Sequence, residues 1–112
     1  MTLTPFLQLQ QHPAWLGRVS GLKAEKMLRG RRKPYLYVLR AGESDFNYYI
    51  TFILPDFSVT HQPFMISQEA GEWSVCNEQS YPISGIPISD VIHVLMKCKK
   101  DEGLPFTAET VT

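Results

Sequence analysis

The chain has 112 residues, 44% of them hydrophobic and 20% charged, which is the size of one domain and apolar enough to bury a core, so wholesale disorder is excluded. Eleven Lys plus Arg balance eleven Asp plus Glu, which removes any bulk field that would draw the chain to nucleic acid or a membrane. The distribution is less even: Arg18, Lys23, Lys26, Arg29, Arg31, Arg32 and Lys33 fall close together with Glu25 as the one acid among them, so a local anion site fits within a neutral total. Cys76 and Cys98 have neither metal-ligand spacing nor further cysteine partners, which argues against a zinc site or a disulfide scaffold and for a reducing compartment. No long apolar run occurs, and the first residues lack the basic front and apolar middle of a signal peptide, so neither a spanning segment nor a general secretory address is expected.

Residues 1–14 read as an irregular lead-in tied down at Trp15, residues 15–106 as the domain, and 107–112 as a tail. Ser20 is placed to cap a helix from Gly21 to Arg29, with Leu22, Ala24, Met27 and Leu28 on its apolar face. Gly30 stops it, Arg31-Arg32-Lys33-Pro34 turns, and Tyr35 to Arg40 is aromatic, β-branched and extended. After a polar loop, Tyr48 to Leu54 reads as a central strand, Pro55-Asp56 as a reversal, and Phe57 to Phe64 as the hairpin partner. Trp73 to Cys76 suits a short strand, whereas Pro82, Gly85 and Pro87 make 77–87 a loop. Ser89 is a candidate cap for a last helix carrying Val91, Ile92, Leu95 and Met96 on one stripe, and the stretch after Leu104 looks too short for another element. The expected class is α+β, a central antiparallel sheet flanked by two helices. Trp15 is expected to be largely buried, with Leu28, Val38, Ile50, Phe52, Val91 and Leu95 in the core.

Arg40 carries the most chemical information. It closes an apolar strand, and if it shares a face with Leu36 and Val38 its guanidinium runs beneath the structure and needs an anion. Glu43 and Ser44 follow in the next loop, whose backbone N–H groups can form an anion nest, and His61 has the parity to meet Arg40 across the sheet. A guanidinium, a hydroxyl and backbone amides suit phosphate, because the planar fork matches its oxygens in a way Lys does not. The plainer alternatives are a surface Arg or one paired with a nearby carboxylate, a packed strand histidine, a serine that shapes a turn, and a solvated basic turn. An enzyme is disfavoured, since His12, His61 and His93 are dispersed and neither a glycine-rich nucleotide loop nor a nucleophile elbow occurs. Tyr35, Tyr37, Tyr48 and Tyr49 superficially match an RNA-stacking sheet, against which stands the zero net charge.

From Trp15 to Leu104, about four-fifths of the chain, the sequence resembles an SH2 domain. W-L-G-R-V-S resembles the family's opening, K-A-E-K-M-L its first helix, Y-V-L-R its central strand, V-T-H-Q-P-F its fourth strand and D-E-G-L its close. The resemblance implies a non-catalytic phosphotyrosine reader without cofactor or metal. It implies that Arg40 grips the phosphate in a bidentate manner, that Ser44 touches a phosphate oxygen, that His61 helps order the pocket, and that Gln62 lies beside the peptide backbone. Glu43, Arg18 and Lys23 complete the expected phosphotyrosine site, and Tyr81, Ile83 and Ile86 the expected peptide groove.

The departures are specific. The two positions that usually supply a second cation are Gly21 and Pro63, Ala41-Gly42 replaces the loop serine after the arginine, and 77–87 is longer than usual and is expected to fold over the peptide. These features fit a fragment or an effector of bacterial or viral type better than a standard adaptor. The expected protein is a monomer in the cytoplasm, or in the host-cell cytoplasm for a pathogen effector, binding tyrosine-phosphorylated peptides or proteins and neither nucleic acid nor membrane. The alternative is an SH2-like scaffold that binds its partner without phosphate.

Overall fold

Alternating apolar positions in three neighbouring segments organise the molecule into a sheet with a helix against each face. The computed structural model describes residues 9–42, 47–67, 72–75, 80–82, 88–99 and 101–106. Its elements are α1 (Gly21–Leu28), β1 (Leu36–Ala41), β2 (Asn47–Ile53), β3 (Val59–Ser67), β4 (Glu72–Val75), β5 (Ser80–Pro82), α2 (Ile88–Met96) and β6 (Leu104–Pro105). The strand order is β5-β4-β3-β2-β1-β6. Strands β1 to β5 pair antiparallel, and β6 joins β1 in parallel through Leu36↔Leu104 and Tyr37↔Pro105. The expected α+β class therefore holds, with one parallel edge.

Strand parity divides the core in two. Leu36, Val38 and Ile53 pack with Ala24 and Leu28 of α1 and with Phe106. Tyr37, Leu39, Tyr48, Ile50, Phe52 and Phe64 pack with Val91, Ile92, Leu95 and Met96 of α2. Successive strand side chains point to opposite faces, so one polar residue of the same parity as Leu36 and Val38 is carried under α1. That residue is Arg40.

Several boundaries differ from the sequence reading, each for a physical reason. Leu22 is 64% exposed, because at 3.6 residues per turn it stands about 200° from Ala24 and points to water. The stretch after Leu104 is not featureless: the Leu104 and Phe106 N–H groups donate to the Tyr35 and Tyr37 carbonyls, and Phe106 is buried. Within the expected 77–87 loop, Ser80–Pro82 pairs with β4 as β5; a proline is tolerated because this strand lies on the sheet edge. Residues 77–79 and 83–87 lie outside the described residues. Strand β1 begins at Leu36 because Tyr35 takes a φ of 65°, and β3 begins at Val59 because Phe57, at φ 69°, turns the chain. Ser89, the expected cap position, falls inside α2 as its second residue.

The lead-in contributes more than its composition suggests, since Leu9 and Ala14 are fully buried in the α2-side core. Trp15, expected to be largely buried, is half-buried and packs against that core. It forms a parallel bridge to Leu39, with Leu39 N–H donating to the Ala14 carbonyl and Leu16 N–H to the Leu39 carbonyl. His12 accepts the Ala14 N–H on Nδ1, so its proton sits on Nε2 and is donated to the Tyr37 hydroxyl at 3.2 Å. Burial pushes the Tyr37 phenol up to about 12 and draws His12 below the ordinary histidine value of 6.5. In acid the unfolded chain then takes up the His12 proton before the folded chain does. The contribution of His12 to stability is therefore complete above pH 6.5 and is lost as pH falls from there toward its lowered folded value. Urea melts between neutral pH and pH ~5 are expected to show this loss, and His12→Gln to flatten it; an equal slope in both proteins would refute the assignment.

Candidate functional site

The chain leaves the β1 edge after Leu16 and crosses over the end of β1 to the start of α1. Ala41 N–H donates to the Gly17 carbonyl at 2.8 Å, which fixes this crossing. Ser20 then accepts the Lys23 N–H on its hydroxyl and the Ala24 N–H on its carbonyl, and so caps α1 as its residue type predicts. Arg18, Val19, Ser20 and Gly21 form one wall of a cavity of about 650 Å³ whose remaining lining is Arg40, Ala41, Gly42, Tyr49 and His61.

Register sets the cavity floor. Val38, Thr51 and His61 are successive partners across β1, β2 and β3, and Arg40, Tyr49 and Pro63 form the adjacent row. Both rows lie on the α1 side. The Arg40 residue is 8% exposed; its Nε donates to Thr51 Oγ1 at 3.1 Å and its Nη2 faces His61 Nδ1 at 3.2 Å. The Tyr49 ring lies 4.4 Å from the guanidinium carbon. Thr51 Oγ1 is 2.8 Å from His61 Nδ1, and His61 Nε2 is 2.7 Å from a Glu25 carboxylate oxygen.

One tautomer satisfies the whole chain of bonds. With the proton on Nε2, His61 donates to Glu25 and accepts on Nδ1 from Arg40 and from the Thr51 hydroxyl, which in turn accepts from Arg40 Nε. A proton on Nδ1 would instead face the Arg40 donor. The bond from His61 holds the Glu25 carboxyl below its usual range, opposed by desolvation and aided by the charge of Arg29. Burial lowers the Arg40 guanidinium from its ordinary value, yet an arginine so placed stays a cation.

Among the described residues no carboxylate ion-pairs with Arg40; Glu25 goes to His61 and to Arg29. Of the five guanidinium N–H donors, one serves Thr51 and one His61; among the described residues the Nη1 pair and the second Nη2 proton have no acceptor. A ligand with several acceptor oxygens completes that set.

Close contacts explain two of the departures noted in the sequence. A Cβ on Gly21 would lie 3.1 Å from Arg40 Nη2 and 3.4 Å from His61 Cε1, so the bare backbone lets the helix start sit directly on the site. A Cβ on Gly42 would lie 2.7 Å from the Asn47 carbonyl oxygen, which accepts the Gly42 N–H at 2.8 Å and closes the base of the β1–β2 loop. A side chain at 42 would break that closure.

Of the residues singled out from sequence, Arg40, His61 and Arg18 meet at the cavity. Lys23 is exposed and does not line it. Gln62 has the opposite parity and lies on the α2 side with Phe64, its amide donating to the Pro63 carbonyl. Glu43, Ser44, Ile83 and Ile86 lie outside the described residues, and Tyr81 is described only as a β5 residue paired with Trp73.

Sequence reasoning missed Glu25, Tyr49 and Thr51 as members of the site. Thr51, a fully buried hydroxyl in an otherwise apolar strand core, was the available signal. Among the described residues no group of three or more His, Cys, Asp or Glu side chains could hold a metal ion, and no helix is long and apolar enough to cross a membrane. The chain matches no protein-family model, and no curated protein is significantly similar to it.

Proposed function

We propose that this domain is a non-catalytic reader of phosphotyrosine in peptides or protein segments. The observation that carries the reading is Arg40: an arginine 8% exposed, without a carboxylate partner among the described residues, on the floor of an open cavity. A buried cation held only by neutral groups is costly, and an incoming anion offsets that cost. The wall made by Ser20 and Gly21 is the start of α1, where the helix dipole also favours negative charge. Phosphate oxygens match the free edge of the guanidinium in a bidentate geometry. The cavity, about 650 Å³, exceeds the volume of a bare phosphate and leaves space for a phenyl ring. The SH2-like order of motifs supports the same ligand, which is made inside cells and so implies the cytoplasm of the cell, or of a host, as the working compartment.

The test is calorimetric titration with matched phosphorylated and unphosphorylated tyrosine peptides. Saturable binding of the phosphorylated peptide alone is expected, with no release of inorganic phosphate. Equal binding of the two peptides would favour a phosphate-independent scaffold, and phosphate release would end the non-catalytic reading.

A further inference from the structure

Beside Arg40 the described cavity lining presents an aromatic ring, Tyr49, and no second strand-borne Lys or Arg. The row Arg40, Tyr49, Pro63 runs across three strands on one face, so the strand position beside Tyr49 holds a proline and not a basic side chain. Gly21, at the helix side, has no side chain to offer. Besides Arg40 and His61, Arg18 is the one basic residue in the described lining, and it is exposed.

Tyr49 occupies a distinctive place in this arrangement. With its ring centroid 4.4 Å from the guanidinium carbon, it packs directly on the Arg40 head group that would take the phosphate oxygens. The ring is half-buried and lines the cavity. The part not covered by Arg40 therefore borders the space that the carbon skeleton of a phosphate ester must cross to reach the floor.

Resting on the phosphotyrosine reading above, we infer that Tyr49 is a specificity-determining residue. It packs on the Arg40 guanidinium and against the ligand's phenyl ring, so that the pocket selects aryl phosphates over inorganic and alkyl phosphates by aromatic contact in place of a second cation.

The experiment displaces a labelled phosphotyrosine peptide with phenyl phosphate, phosphoserine and inorganic phosphate. The parent chain is expected to prefer phenyl phosphate to the other two. Tyr49→Ala is expected to reduce the ratio of phenyl phosphate to inorganic phosphate affinity by about 2- to 10-fold, the range of one aromatic pair. Tyr49→Phe should retain the ratio, because the ring and not the hydroxyl makes the contact. Tyr49→Lys should raise inorganic phosphate binding and steepen its salt dependence. Circular dichroism checks that each variant is folded, with Tyr49→Leu taking the place of an alanine variant that is not. An unchanged ratio in the folded Tyr49→Ala or Tyr49→Leu protein would overturn this inference while leaving the phosphotyrosine reading intact. Failure of the parent chain to bind the phosphotyrosine peptide would overturn both.

Discussion

Arg40→Ala is expected to weaken phosphotyrosine-peptide binding at least thirtyfold, about 2 kcal/mol, because a desolvated phosphate loses its principal charged partner. Arg40→Lys keeps the charge but loses the planar fork, and with it the Thr51 bond made by Nε; binding should fall here too, by less. With glycine at 21 and proline at 63, little nearby charge is available to compensate. Arg40→Met separates binding from folding. It retains an unbranched chain under α1 and spares the 2.8 Å contact between Thr51 and His61, while removing a buried cation that has no carboxylate partner among the described residues. Its denaturant midpoint should equal or exceed that of the parent even as binding is lost. Parent-like affinity in a folded Arg40→Ala protein would refute the site, and a marked fall in the Arg40→Met midpoint would show that the cation supports the fold.

The largest effect on stability is expected at Phe64. This ring is fully buried on the α2 side, stacked on Tyr48 with centroids 5.6 Å apart, and Tyr48 in turn meets Trp15 at 6.1 Å. Truncation to alanine removes the transfer energy of the ring and opens a cavity among β2, β3 and the lead-in, at a cost of about 3–5 kcal/mol. Since the whole domain is stabilised by about 5–15 kcal/mol, a urea melt should show a large shift in midpoint. Leu22→Ala provides the contrast: it removes an equally apolar residue from an exposed helix face and should change stability by less than about 0.5 kcal/mol. A Phe64→Ala loss below about 1 kcal/mol would show that β3 is not seated on the α2-side core as described.

The elements were legible in the sequence where a local signal was strong. Ser20 and Gly30 bracket α1, the apolar runs at 36–39 and 48–53 identify β1 and β2, and Val91, Ile92, Leu95 and Met96 mark the buried stripe of α2. Period-two alternation also sufficed to place Arg40 on the face of Leu36 and Val38, and to give His61 the parity to meet it. These features depend on neighbours a few residues apart, which is what periodicity and capping report.

What only the tertiary structure decided depends on partners distant in the chain. The two-residue β6 exists because β1 offers it a free edge, and Leu9 and Ala14 are buried because the lead-in runs back along that same strand. Glu25 belongs to the site only because α1 packs across three strands and brings it to His61, 36 positions away in sequence. Tyr49, one of several tyrosines with the same local pattern, is distinguished from Tyr48 by a register that turns one toward Arg40 and the other into the core. Hydrophobic alternation tells inside from outside within a strand, but it does not say which helix will cover each face; the pairing register and the packing of the helices made that choice.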